Sequence, residues 1–462
     1  MNPDMTSINR RRFMWTTGAA GIGLSSIVRA QSREPAVSPN SKLRVLSIGV
    51  VGTIGKVDRT QVSQHPAVEI SGLCDVDSNA LNQAANDHPG AFTCRDYREA
   101  FSKYGDKFDA VIVSTPDHSH APIMLTALAN HKHVYGQKPL VHQLEELVMM
   151  EKAVAARPNL VTQVGNQRMA AAGRRAAVEI LRSGALGKAV EAHVWVNSPN
   201  AREYFNLDRA VGEPKPAPAN LEWDLWLGPC EKAEYRDGIA PVVWRSLWDY
   251  GSNGLGDWGL HVLDVIFYGY DELVSPIAVQ THCEASPNPL FHSHPCHSTI
   301  TYAVGSEKFA RKQFAIYYSD SSQAPSRAAL GLPPGKYPDT NMTVVVCEGG
   351  VLCLTAEGRL EIWRDGIMTS GLKMPGLPDF PKMNHWHAWV DNCLGIKTEL
   401  RSPFKDAVRM TEATQLAVKA TRFPGEELRW DKSTLSFSNH EEATKTIIRR
   451  SYRDGFAPPP VV

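Results

Sequence analysis

The feature that most limits what this chain can become is the apolar run LRVLSIGVV, from Leu43 to Val51, which passes directly into a glycine turn. A continuous apolar run suits a parallel strand buried on both faces. The pattern then repeats. VEISGLCDVD reads as a second buried strand ending in acids, followed by helical stretches around Ala80 to Asn86 and Tyr97 to Tyr104 with a turn at Pro89-Gly90 between them. FDAVIVSTP is a third strand, with a helix from His120 to Asn130 behind it. HVYGQKP, a helix through Glu145 to Ala156, and LVTQVGN close the set. Strands alternating with helices in this way predict βαβ units in a doubly wound parallel sheet over residues 43–168.

The texture changes near Met169. A helix from Gly173 to Ser183 leads to AVEAHVWVN, whose alternation suits a sheet with one solvated or helix-covered face. Residues 169–431 therefore read as a second, sheet-bearing domain. Long Pro-rich connections at Gly212 to Asn220, Ser286 to Pro295 and Ala324 to Asp339 read as functional or interface loops. Helices near Met383 to Leu394 and from Phe404 to Thr421 end the ordered part, and 432–462 reads as a tail with frayed PPPVV.

Asn9-Arg10-Arg11-Arg12-Phe13-Met14 precedes a weakly apolar run ending in Val28-Arg29-Ala30. That is the layout of a twin-arginine export signal over 1–30, followed by a linker at 31–42, and it predicts a periplasmic protein. Lys+Arg and Asp+Glu both number 49, which argues against a nucleic-acid partner. No stretch of 18 apolar residues predicts membrane insertion. The eight cysteines form no C-x-x-C pair and read as scattered small hydrophobes, with one or two bridges open to an exported chain.

Four places carry chemistry. Gly49-Val50-Val51-Gly52-Thr53-Ile54-Gly55 follows the first strand, where glycines let a backbone approach a pyrophosphate at a helix N-terminus. Counted from Gly49, the second and third fingerprint positions hold Val51 and Ile54. Asp75 ends the next strand about 20 residues beyond Gly55, the place of an acid that binds ribose hydroxyls. It favours NAD over NADP. Ser114 to His120 lie at a strand end, where cofactors bind in open sheets; His118 or His120 could equally cap the following helix. Gln137-Lys138-Pro139 follows a short strand, and its lysine could polarise a reacting hydroxyl. Asp257 and His261 stand four apart on one helix face, so the carboxylate could orient the imidazole as a base, with Asp264 three residues further on; a core histidine on a capped helix is the bland alternative. The tract His292-Ser293-His294-Pro295-Cys296-His297 lacks zinc spacing, and no metal is expected.

CDVDSNAL, DAVIVSTPDHSHAPI, HVYGQKPL, VTQVGNQ, WDLWLGP and GLGDWGLHVLD, taken in order, resemble the Gfo/Idh/MocA family, and most closely its exported, twin-arginine branch. The resemblance runs from Lys42 to about Asp431. It implies an N-terminal Rossmann domain, a C-terminal α/β domain over 169–431 whose large open mixed sheet mediates homo-oligomerisation, and a tightly bound NAD, with NADP the alternative. Lys138 then matches the catalytic lysine of the family's E-K-P motif, with Gln137 in place of Glu. Asp257 and His261 match its D-x-x-x-H motif, with His261 as acid/base and Asp257 holding it. Gly49, Gly52, Thr53, Ile54, Asp75, Thr115, Pro116, His120, Gln137 and Lys138 would line the cofactor. The implied activity is hydride transfer between NAD(P) and a secondary hydroxyl of a sugar, glycoside or cyclitol. The alternatives are an NAD-dependent glycosidase or lyase working through transient sugar oxidation, and a cofactor-free carbohydrate-binding protein, since Val51 and Ile54 depart from the glycine pattern.

Overall fold

The computed structural model describes residues 42–196, 211–286, 288–305, 307–320 and 324–461. The twin-arginine signal, and all of the linker except Lys42, lie outside the described residues.

The first sheet contains β1 (Leu43–Ile48), β2 (Val68–Cys74), β3 (Phe92–Cys94), β4 (Ala110–Val113), β5 (His133–Gly136) and β6 (Thr162–Val164). They run parallel in the order β3-β2-β1-β4-β5-β6. This is the doubly wound Rossmann order, whose direction of winding reverses between β1 and β4 and opens a crevice there. The three-residue β3, which follows the Pro89-Gly90 turn, is too short to give a periodic signal in sequence. The crossovers are α1 (Gly55–Ser63), α2 (Ser78–Asp87), α3 (Tyr97–Tyr104), α4 (Asp117–Ala129) and α5 (Leu144–Ala155).

Beyond β6 come α6 (Ala172–Arg182), β7 (Ala189–Val196), α7 (Trp223–Leu227), α8 (Asn253–Gly269), β8 (Ala278–Cys283), β9 (Cys296–Ala303) and β10 (Gln313–Asp320). They are followed by β11 (Met342–Cys347), β12 (Gly350–Thr355), β13 (Leu360–Arg364), β14 (Ile367–Ser370), α9 (His385–Cys393), α10 (Phe404–Ala420), β15 (Glu427–Asp431), β16 (Ser436–Phe437) and α11 (Glu441–Thr446). The strands form a ten-stranded sheet, β14-β13-β12-β11-β7-β10-β9-β8-β15-β16. It is mixed: β7 and β10 pair in parallel and the other neighbours are antiparallel. Along β9 and β10, Ile300, Tyr302, Phe314 and Ile316 are buried, while Thr299, Thr301, Ala315 and Tyr317 between them are only half-buried. One face thus packs on helices and the other is open.

α8 is apolar nearly all round, with only Asp257 and Trp258 short of full burial, so it must be a core helix. It packs between α6 and α10 beneath the large sheet.

Two features depart from the sequence reading. A doubly wound sheet needs helices on both faces, and one face is completed from far along the chain. Trp389, Val390 and Cys393 of α9 pack with Val45, Ala110, Ile112 and Tyr135, so the Rossmann core draws on residues beyond 168. The stretch read as a tail is docked as well. β16 and α11 follow Asp431, and the half-buried Arg450 guanidinium pairs with Glu146 of α5 at 2.5 Å and donates to the His118 carbonyl at 2.6 Å. Short elements rich in charge leave little apolar period to read.

Candidate active site

A cavity of about 390 Å3 lies over the carboxyl ends of β1, β2 and β4. Its floor includes Gly49, Gly52, Thr53, Ile54, Asp75, Ser114, Thr115 and Pro116. Gly49 has φ +78°, and a Cβ there would lie 2.5 Å from the Ser114 carbonyl oxygen. A Cβ on Gly55 would lie 2.3 Å from the Gly49 carbonyl oxygen. The turn therefore closes on Gly49 and Gly55, a tight strand-to-helix passage in which Val51 and Ile54 occupy the positions between. No side chain caps α1 at Ile54, so its first amides are left for another acceptor. The Thr115 hydroxyl on the same floor is buried without a partner.

Asp75 is anchored by its own backbone surroundings. Its Oδ2 accepts from the Val50 amide at 2.9 Å and its Oδ1 from the Asp77 amide at 3.0 Å. Burial pushes its carboxyl above the usual range, against the pull of these amides. The second domain roofs the cavity with Asn220, Leu221, Trp226, Trp244 and Arg245, and Phe456 adds an edge. Arg95 pins this roof. Its guanidinium donates to the carbonyls of Val76 at 2.6 Å and Asn220 at 2.7 Å, and pairs with Glu222 at 2.8 Å.

Arg245 carries the site from the glycine turn to α8, lying 3.5 Å from the Thr53 hydroxyl and 3.8 Å from the Asp257 carboxylate. Lys138 comes from the end of β5 and meets the same carboxylate. Its Nζ donates to Asp257 Oδ1 at 2.6 Å and to the Asp257 carbonyl at 2.9 Å, which leaves one N–H uncommitted to Asp257. Burial would raise the Asp257 carboxyl, but the charges of Lys138 and Arg245 bring it below its ordinary value. It stays ionised.

His261, one helical turn on, is 6 % exposed and held by a different residue than expected. Its Nδ1 faces Asn166 Oδ1 at 2.8 Å, and no bond joins it to Asp257. The Asn166 amide is fixed because its Nδ2 donates to the Leu260 carbonyl and to Asp264 Oδ2, both at 3.1 Å. Asn166 Oδ1 can then only accept, so Nδ1 carries the hydrogen and Nε2 keeps its lone pair. Asp264 in turn forms a fully buried pair with Arg174, whose guanidinium also donates to the His261 carbonyl at 2.5 Å. Burial, followed by the positive charges of Lys138, Arg168 and Arg174, holds His261 well below its ordinary value and therefore neutral.

Lys138, Asp257 and His261 thus come together, with Asp257 serving the lysine rather than the histidine. A carboxylate and imidazole four apart on a helix can each turn to other partners, and here better ones lie on neighbouring elements. His120 does not line the cavity. It is buried with Nε2 at 2.8 Å from the Thr115 carbonyl and Nδ1 at 2.7 Å from that of Pro139, tying two strand ends together. Gln137 is also buried behind the floor, donating to Asp58 Oδ2 at 2.8 Å. His118 lies between the carbonyls of Trp226 and Tyr250, and burial brings it down to about 3. His292 and His294 turn to unrelated partners, the Gly251 carbonyl and Asp320. Asn166, Arg174 and Arg245 were not assigned roles from sequence. Asn166 sits inside the quoted VTQVGNQ, but its role needs a helix that lies about a hundred residues away in the chain.

Comparison with known proteins places this geometry. A family described as "Oxidoreductase family, NAD-binding Rossmann fold" matches residues 43–165, and its "C-terminal alpha/beta domain" matches 174–307. Among curated proteins, a glycosyl hydrolase family 109 protein of Shewanella baltica is 29% identical over 168 residues, 31% of this chain and 36% of that one. An alpha-N-acetylgalactosaminidase of Shewanella oneidensis is 28% identical over 167 residues, with the same shares. The match spans about a third of the length of these curated relatives. The fold recurs in the WlbA dehydrogenase of Bordetella pertussis, solved with NADH and UDP-GlcNAcA, at 14% identity and TM-score 0.58 over 84% of this chain and 99% of that one. It recurs also in an inositol dehydrogenase homolog of Azotobacter vinelandii, complexed with NADH and myo-inositol, at 17% identity and TM-score 0.58 over 85% and 98%. With both domains matched in order, this chain belongs to the Gfo/Idh/MocA family of NAD-binding oxidoreductases.

Proposed function

We propose that the protein oxidises, through NAD, a secondary hydroxyl of a sugar, glycoside or cyclitol. The observation that carries this reading is His261, whose tautomer is fixed with Nε2 unprotonated, one helical turn from the Lys138–Asp257 pair. The floor fits a dinucleotide: Gly49 and Gly55 let the turn close tightly, a Cβ on Gly52 would meet no protein atom within 4 Å beside the cavity it lines, the α1 amides are uncapped, and the Thr115 hydroxyl lacks a partner. Asp75 would meet the ribose hydroxyls and repel a 2′-phosphate, which favours NAD over NADP. A nicotinamide nucleotide held there supplies a two-electron hydride acceptor.

The chain's own part is proton handling and orientation. His261 Nε2 takes the hydroxyl proton as the C–H hydride departs. Lys138, fixed by Asp257, donates its remaining N–H to the same oxygen and stabilises the charge that develops there. The roof pinned by Arg95 supports a tightly held cofactor, which suits an exported protein with no pool of free NAD to draw on. Export rests on the arginine run at Arg10 to Arg12, and homo-oligomerisation on the open face of the large sheet.

A glycosidase reading is favoured by one observation, the Shewanella alpha-N-acetylgalactosaminidase relative. On the same residues, transient oxidation would acidify a neighbouring C–H and permit elimination. Incubation with NAD and a panel of sugars and cyclitols, beside p-nitrophenyl glycosides, separates the two. We expect reduced nicotinamide, on the protein or released from it, to appear with a free sugar or cyclitol, and no nitrophenol release. Nitrophenol release without net NADH would instead establish the glycosidase route, and neither signal would refute both.

A further inference from the structure

Asp58 is completely buried on α1, three residues past Gly55, with three neutral donors around it. Gln137 Nε2 and Ser114 Oγ both donate to its Oδ2 at 2.8 Å, and Trp386 Nε1 donates to its Oδ1 at 2.9 Å. Among the described residues, no cation forms an ion pair with it. Indole and carboxamide N–H groups can only donate, so Asp58 must accept from both. The Ser114 hydroxyl has a single hydrogen, and Asp58 consumes it. Ser114 lines the cavity floor and Gln137 adjoins Lys138, so one carboxylate ties the α1 turn to the ends of β4 and β5.

We propose that Asp58 is a positioning residue of the cofactor site: its carboxylate makes Ser114 offer only lone pairs to the cavity and holds Gln137, and with it Lys138, at the strand end. In the resembling family a glutamate stands at position 137. Here the strand carries the amide, and the acid that meets it stands on α1. The inference rests on the NAD-binding reading above.

Protonation reverses the arrangement. A carboxylic acid must itself donate, and Ser114 is the neighbour that can accept by turning a hydroxyl alone, where Gln137 would have to turn over its whole amide, so the Ser114 hydrogen would swing towards the cavity. Burial lifts the Asp58 carboxyl to about 6, against its three donors and the charge of Lys138. Two titratable rings packed nearby keep one form across that range, while His387, next to Trp386 on α9, is lowered from its ordinary value by burial and then by the charge of His65. Tyr135 is pushed up well above its ordinary value by burial, and His385, edge-on to Tyr135, is lowered to about 4.

NAD titration of the purified full chain between pH 5 and 7.5, after exchange of retained nucleotide, tests this. Wild-type affinity should fall below about pH 6, approaching tenfold per pH unit as expected for one linked proton. Asp58→Asn should bind more weakly, with that pH dependence gone. Gln137→Glu sets two carboxylates in contact, so it should weaken binding and move the midpoint upward. The double variant Asp58→Asn/Gln137→Glu restores one acid facing one amide and should bind more tightly than either single variant. Trp386→Phe removes one donor from the charged form and should raise the midpoint, giving a reading even if Asp58→Asn fails to fold. A double variant no tighter than the weaker single, or an unmoved midpoint in Trp386→Phe, would overturn the assignment. No NAD binding by the wild type at any pH would refute the cofactor reading and this role with it, whereas pH-independent wild-type binding would refute the role alone.

Discussion

Replacing His261 with alanine is expected to slow hydride transfer by roughly 10^2- to 10^4-fold, the range for loss of a positioned general base. NAD affinity should change little, because the ring stands on α8 and is absent from the cavity floor. The neutral state of His261 sharpens the expectation. Burial, then the nearby cations, holds it well below its ordinary value, so the free protein at pH 7 already presents the base form. An acid limb of turnover should therefore not report His261 in the free protein. Lys138→Ala should also reduce turnover strongly, and it should release Asp257 from its closest cationic partner. If His261→Ala and Lys138→Ala both retained wild-type rates, these residues would not be carrying the chemistry.

The second large effect is expected at Asp264. Asp264→Asn leaves the Arg174 guanidinium buried and unpaired, at a cost of about 3–5 kcal/mol. It also frees the Asn166 amide to flip, because Asp264 Oδ2 is one of the two acceptors that orient it. Stability and turnover should fall together. The double change Arg174→Met/Asp264→Leu separates them. Removing both charges should recover much of the stability, since a buried pair exchanged for apolar side chains of similar size is often nearly neutral. Turnover should stay low, because the Leu260 carbonyl alone is left to orient the Asn166 amide. Thermal melts beside steady-state rates would show this split; recovery of turnover along with stability would contradict the assigned tautomer control.

How legible each part was in the sequence follows from the range of the interactions. β1, β4 and the C-terminal half of β2 are buried on both faces and read as apolar runs, and α3 keeps the limits its sequence shows because its caps and turns are local. Asp75 and the glycine turn were visible because strand end, turn and acid lie within one βαβ unit. The helix pattern showed that Asp257 and His261 share a neighbourhood but not whom each would bind. Asp257 turned to Lys138, about 120 residues earlier, and His261 to Asn166. His120 was placed at the correct strand end, yet its ring faces inward to two carbonyls rather than into the cavity. The docked C-terminal segment is not legible because Arg450 and Phe456 act through long-range contacts that no periodicity announces.

The proposed chemistry requires the glycine turn to hold a nicotinamide nucleotide although Val51 and Ile54 interrupt its glycines. Denaturing the purified protein and quantifying the nicotinamide nucleotide released, then titrating the emptied protein with NAD, tests this most directly. Release in roughly stoichiometric amount, or saturable rebinding of NAD in preference to NADP, is the predicted result. A protein that releases none and binds neither nucleotide would contradict it.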